Sequence, residues 1–288
     1  MDFIDMLNMH MHDFDVYVDF SAQQALANKS VWNWSGDFPA NTDGMDLRGK
    51  NILVENAVIE VGDDGIAIKP SNGWGDYTNC SQDMLIRNIT TIFTEGMAIG
   101  SIGADPKVNC IRNITFENIH HTYGAFKGFY VKTNNIGTGS GIVDNIVVRN
   151  MTGYNAMSTF IYFGPMNQGP NANGSRCDNW WPRYSNTTCD TNPLISISNV
   201  LIENSNCQNC HAWLPGIIWC DPTNPCKNLT FVNVQTEGSF SISDDYWCQN
   251  AQGTQQNTNL LPSSCLTVVD NQGTTPRTPT TQPILKYV

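Results

Sequence analysis

Charge is scarce in this sequence, and positive charge is the scarcer sign: 15 lysines and arginines stand against 26 acidic residues, a net charge of −11. A chain so short of cations suits neither phosphate backbones nor anionic bilayers, so nucleic acid and membrane are not expected as partners. No apolar run is long enough to cross a bilayer as a helix. The start, Met1-Asp-Phe-Ile-Asp, lacks the basic segment and apolar run of a secretory leader. Apolar residues nowhere recur with helical period over a helix's length, which excludes βαβ units. The GxSxG elbow of serine hydrolases does not occur. The five histidines, His10, His12, His120, His121 and His211, share no spacing with an acidic cluster, so no metal or other cofactor is expected.

Cysteine is missing from the first quarter and then crowds towards the C-terminus: Cys80, Cys110, Cys177, Cys189, Cys207, Cys210, Cys220, Cys226, Cys248 and Cys265. Cys207-Gln-Asn-Cys210 has no second pair at zinc-ligand spacing, so an oxidising compartment explains the set better. An extracellular protein is expected, from a precursor whose leader is not in this chain. The many Asn-x-Ser/Thr triplets, among them those starting at Asn28, Asn113 and Asn173, agree with glycosylation but arise easily in an Asn-rich chain.

The strongest positive signal is an internal repeat of the form Asn/Asp-apolar-x-apolar-x-Asn. It reads NILVEN ending at Asn56, DMLIRN at Asn88, NITFEN at Asn118, NIVVRN at Asn150, NVLIEN at Asn204 and NLTFVN at Asn233. Each unit is a short alternating strand closed by Asn. One such strand about every 30 residues, without helices, can bury its apolar face by coiling, each turn stacking on the last, and this is favoured over a propeller or a β-sandwich because hairpin turns are not regularly spaced. The expected fold is therefore all-β, a right-handed parallel β-helix, in one domain over 1–288 and as a monomer. An insertion over about 165–193 interrupts the repeat, and an irregular tail covers about 245–288. The segment before Pro39 alternates at Phe14, Val16, Val18 and Phe20 but shows no clean repeat. Cys80 and Cys110 hold the same offset from Asn88 and Asn118, so they should stack within bridging distance on neighbouring coils. Cys220 and Cys226 frame a short closed loop, and Cys177 with Cys189 another inside the insertion.

Acidic residues gather where the repeat begins: Asp43 and Asp46 in NTDGMD, Asp63 and Asp64 in GDDGIAIK. Asp43 and Asp63/Asp64 are about one coil apart, so their carboxylates converge if they hold matching places. One would then stay protonated near neutral pH, and a neutral acid beside carboxylates able to hold water is the equipment of an inverting glycosidase. The alternative is plain turn chemistry, since Asp-Gly and Gly-Asp-Asp are ordinary between strands.

NTDGMD, GDDGIAIK, EGMAIGSIG and YVKT, in this order and about a coil apart, resemble the four signatures of glycoside hydrolase family 28, the polygalacturonases and their rhamnogalacturonan-cleaving relatives. Those signatures read approximately NTDG, GDD, HGxSIGS and RIK, and the fold is the pectin-lyase-like solenoid. The resemblance implies Asp63 as general acid, Asp43 and Asp64 as the groups that hold and deprotonate water, and Lys132 as a ligand for a galacturonate carboxylate of a pectic polysaccharide. Three positions depart. The family His is Glu95, the Arg of RIK is Tyr130, and the Cys after GDD is Gly65. Glu95 and Tyr130, at substrate-reading positions, imply an altered preference: a rhamnogalacturonan-directed exo-hydrolase is the alternative, and a silent carbohydrate-binding β-helix the next. Trp32, Trp34, Trp74 and Tyr77 could stack sugars, and Trp180, Trp181 and Tyr184 could wall a cleft. Family members carry further coils before NTDG, so the resemblance also implies N-terminal coils outside this chain.

Overall fold

The computed structural model describes residues 1–19, 22, 41–71, 80–103, 108–134, 139–165, 181–183, 189–259 and 266–269. Its chain winds as a parallel β-helix. One stack of strands consists of β1 (Asp2–Tyr17), β2 (Met45–Glu60), β4 (Ser81–Ile92), β6 (Val108–Tyr123), β8 (Ser140–Tyr154), β10 (Ile195–Ala212), β12 (Cys226–Phe240), β14 (Ala251–Gln256) and β15 (Thr267–Val268). A second stack of shorter strands holds β3 (Asp64–Ile68), β5 (Gly96–Ile102), β7 (Lys127–Thr133), β9 (Thr159–Pro165), β11 (Gly216–Trp219) and β13 (Trp247–Gln249). Every ladder is parallel, and β2 joins the stacks by pairing with β4 and, through Met45–Leu47, with β3.

In-register stacking puts like on like. Ile52, Met84, Ile114, Ile146, Val200 and Leu229 form one buried column through six coils. Leu47, Ile68, Ile99, Val131 and Phe163 form another on the inner face of the short stack. The Asn residues bounding each repeat take left-handed backbone geometry, φ 56° at Asn56, 55° at Asn88 and 54° at Asn118. Asn pays least for that conformation among residues with a side chain. Side-chain amides then donate to the Asn one coil away, Asn88 to Asn56 and Asn118 to Asn88 at 3.0 Å, and Asn150 to Asn118 likewise.

The helix extends further at both ends than the repeat suggests. β1 pairs with β2 along its length, and Asn51 and Asn56 donate to Asn8 and Asp13, so Asn8–Asp13 is a further repeat. Asp13 in place of Asn, and His10 and His12 at the outward positions, hide it in the sequence. At the other end, where an irregular tail is expected from about 245, β13 and β14 continue both stacks. The structure joins Cys80 to Cys110, Cys220 to Cys226, and Cys207 to Cys210. Cys189 is also disulfide-bonded; its expected partner, Cys177, lies outside the described residues.

Candidate active site

The acidic motifs meet at the N-terminal end of the short stack, where the chain passes from the loop before β2 to the turn before β3. Met45, Asp46 and Leu47 pair with Ile66, Ala67 and Ile68, which sets Asp43 one coil from Asp63 and Asp64. The glycines of NTDG and GDDG allow the close approach. Gly44 N–H donates to Asp64 O at 2.8 Å, and a Cβ on Gly44 would lie 2.4 Å from Gly65 O. Asp43, Asp46 and Asp64 present carboxylate oxygens within 4.8 Å of one another, as do Asp63, Asp64 and Glu95.

Asp63 lines a cleft of about 210 Å³ together with Met1, Asp2, Asn41, Asp43, Asp46, Lys69 and Lys132. Its carboxyl accepts from Asn41 N–H at 2.7 Å and from Asp64 N–H at 2.9 Å. Burial, then the negative charge of Asp64 and of Asp43, pushes its pKa up to about 6. The result is an acid that holds its proton in mildly acidic solution beside carboxylates. Asp46 is pushed up to about 7, chiefly by burial and, against the pull of Lys69, by Asp43.

Two ammonium groups balance this charge. Lys69 Nζ lies 3.3 Å from Asp46, 3.5 Å from Asp43 and 3.7 Å from Asp64. Lys132 Nζ donates to Asp64 Oδ2 at 2.5 Å. Burial works against the Lys132 charge, but Asp64 and Asp63 outweigh it and hold its pKa above the ordinary lysine value. All-oxygen trios of this kind suit a hard cation; here Lys69 sits among the first trio and Lys132 on the second. Among the described residues no histidine joins either cluster, and buried His121 bonds Thr91 at 2.6 Å instead.

Two expected substrate-reading residues lie beneath the cleft. Glu95 and Tyr130 are 1% and 0% exposed and are not among the residues that line it. The reason is their place in the fold. Tyr130 stands in the outer column Ala67, Ala98, Tyr130, Tyr162, Ile217, which a second apolar cluster with Trp181, Trp213 and Trp219 covers. Its hydroxyl donates to Glu95 Oε2 at 3.2 Å. Trp181 packs edge-on against Trp219 and Trp247 rather than walling the cleft. Trp32, Trp34, Trp74, Tyr77, Trp180 and Tyr184 lie outside the described residues.

Sequence reasoning gives no role to Asn41, Lys69 or Lys127. Lys127-Gly128 repeats the place of Glu95-Gly96 one coil on, with Lys127 N–H donating to Glu95 O at 2.9 Å and Glu95 N–H to Asp63 O at 2.8 Å. That spacing is the signal that would find it. Gly96 is required there: its φ is 118°, and a Cβ would lie 2.3 Å from Lys127 O.

The model of the family described as glycosyl hydrolases family 28 matches residues 1–161. The probable exopolygalacturonase C of Aspergillus niger is 26% identical over 257 residues, 85% of this chain and 54% of that protein. The rhamnogalacturonase A of Aspergillus aculeatus is 25% identical over 259 residues, 87% of this chain and 51% of that protein. The chain thus spans about half the length of the curated relatives it matches. Among solved structures, a hyperthermoactive exopolygalacturonase from Thermotoga maritima superposes with a TM-score of 0.54 at 20% identity, covering 77% of this chain and 44% of that one. That likeness supports the parallel β-helix.

Proposed function

Because this chain belongs to glycosyl hydrolases family 28, we propose that it hydrolyses glycosidic bonds in pectin, at linkages involving galacturonic acid, with inversion. The observation that carries this reading is Asp63, a buried carboxyl in a cleft, held protonated to about pH 6 by burial and by Asp64 and Asp43. Asp63 gives its proton to the glycosidic oxygen as the C–O bond breaks. Water, held by Asp43 and Asp64, attacks the anomeric carbon and yields its proton to a carboxylate. The Asp63 and Asp64 carboxyls approach within 4.8 Å, closer than the roughly 6.5–9.5 Å that admits water between acid and base. Asp43 lines the cleft with Asp63, so we assign the base to Asp43, with Asp64 beside it.

Lys132 and Lys69 supply local positive charge in a chain of net charge −11, which favours a substrate carboxylate at the cleft. The disulfide that joins two coils, Cys80–Cys110, suits an oxidising, extracellular setting. We read the working form as a monomer acting on pectic polysaccharide, not on nucleic acid or membrane.

A rhamnogalacturonan-directed activity is the second reading. It is favoured by Tyr130, which supplies no cation to the cleft, and by the tight hold of Asp64 on Lys132. The test is reducing-end release from polygalacturonan and from rhamnogalacturonan near pH 5, comparing wild type with Asp63→Asn. Cleavage of one polymer that vanishes in the variant supports hydrolysis and names the substrate. Silence on both, from folded protein, moves the reading to carbohydrate binding without turnover.

A further inference from the structure

The cleft runs along the axis of the β-helix. Of the described residues that line it, Asp2 stands on β1, Asp46 on β2, Asp63 just before β3 and Lys132 on β7, each pair of neighbouring strands about 4.8 Å apart. A sugar chain lying in it passes from coil to coil along the outer face of the short stack. That face begins with a low floor and then rises. Its outward column reads Asp46, Ala67, Ala98, Tyr130, Tyr162 and Ile217, so small side chains give way to large ones at β7. In the outward column beside it Lys132 pairs with Gly164, and Ile218 pairs with Phe163, which puts Trp219 one coil beyond Gly164. Tyr130, Tyr162 and Ile217 are buried, and no described residue of β9, β11 or β13 lines the cleft.

What covers this face is tied down. Trp181 packs on Trp219 with ring centroids 5.3 Å apart and on Trp247 at 6.0 Å, and Phe126 meets Trp213 edge-on at 5.3 Å. Arg183, two residues after Trp181, lies over the Trp213 ring at 5.6 Å. The Trp219 indole N–H donates to Cys189 O at 3.3 Å, and Thr191 Oγ1 donates to Asp221 Oδ2 at 2.6 Å, so the end of the insertion is fastened to β11 and the turn after it. Lifting these rings would return a large apolar area to water, which makes the cover a wall and not a lid.

We propose that this aromatic wall ends the cleft just beyond β7, so that the protein engages a pectic polysaccharide by a chain end and acts on terminal sugars. A polymer continuing past Lys132 would have to lie over Tyr162 and Trp219, where other rings already stand. It stops there, and it continues in the other direction, past Asp2. No indole has to line the cleft for this; the cluster occupies the face along which the cleft would extend. The inference rests on the hydrolase reading for the cutting of the chain, but not for the way the chain is bound.

The test has a binding arm and a cutting arm, each run on polygalacturonan and on rhamnogalacturonan. In the first, folded Asp63→Asn is titrated by calorimetry with polymer fractions of increasing length at equal mass. Binding by chain ends predicts a single protein per polymer chain at every length, so doubling the length should halve the sites per gram. Sites per gram that stay constant with length show internal binding and overturn the proposal, as does a lack of binding to both polymers. In the second arm, wild-type digestion is followed by product size, with viscosity read against new reducing ends. A single small product from the first time points, with viscosity lagging behind, is expected. A ladder of sizes with an early collapse of viscosity overturns the proposal and leaves hydrolysis standing. Chain-end stoichiometry without new reducing ends does the reverse, retaining the closed cleft and removing the hydrolase reading.

Discussion

Replacing Asp63 by asparagine should separate activity from stability. The native carboxyl is raised from 3.8 to about 6, chiefly by burial. The folded chain therefore binds more protons than the unfolded chain between those values, and wild-type stability falls as pH rises through that window. Above it, the ionised, buried carboxylate costs up to about 3 kcal/mol relative to its protonated form. Asparagine resembles protonated aspartic acid in shape and carries no charge. The two chains should therefore lie within about 1 kcal/mol of each other at pH 4, while at pH 8 the variant should lead by up to about 3 kcal/mol. Urea unfolding at both pH values reads the difference, with m-values compared to confirm that the same transition is followed. Activity should move the other way and fall about 10²–10⁴-fold with loss of the general acid. A variant no better placed at pH 8 than at pH 4 would refute the description of Asp63 as a desolvated acid.

Four other outcomes follow from the same structure. Wild-type melting temperature should decline from about pH 4.5 to 8, because Asp63, Asp46 and Glu95 are all raised by burial. Buried His121, lowered to about 4, pulls the other way below its ordinary 6.5 but is outnumbered. Lys69→Met leaves Asp43, Asp46 and Asp64 without a shared cation and should cost about 2 kcal/mol at pH 8 and less at pH 5, read by urea unfolding. Asn88→Gly keeps the left-handed turn but loses the ladder and should cost about 1 kcal/mol, while Asn88→Ala adds about 1–2 kcal/mol of backbone strain, so the order of the two midpoints is the check. Replacing Cys80 and Cys110 together by serine opens a 30-residue loop and should lower stability by about 3–4 kcal/mol in thermal or urea unfolding.

The coils were legible because Asn at a fixed place reports a backbone need, a left-handed turn, and not merely a composition. Where that need is met by Asp13, or where the apolar places of Leu229 and Phe231 pass to Gly253 and Gln255, the pattern fades and the first and last coils go unread. The convergence of Asp43 with Asp63 and Asp64 was legible from spacing alone, since in-register stacking makes sequence offset a spatial coordinate. The depth of Glu95 and Tyr130 was not. Tyr130 lies on the outer side of the short stack, a side that faces solvent in a bare solenoid, and among the described residues Trp181, Trp213 and Trp219 belong to the apolar cluster that makes it interior, with Glu95 bonded to its hydroxyl. Lys69 escaped notice because its partners lie on two coils and its own motif reads as a strand end.

The most direct measurement is the pH dependence of kcat/KM for reducing-end release from the polymer that the chain cleaves. If Asp63 is the general acid, activity should be high near pH 5 and fall tenfold for each unit above about pH 6, as its proton is lost. Activity that holds level through pH 8 would contradict the assignment of the reaction to a buried, protonated Asp63.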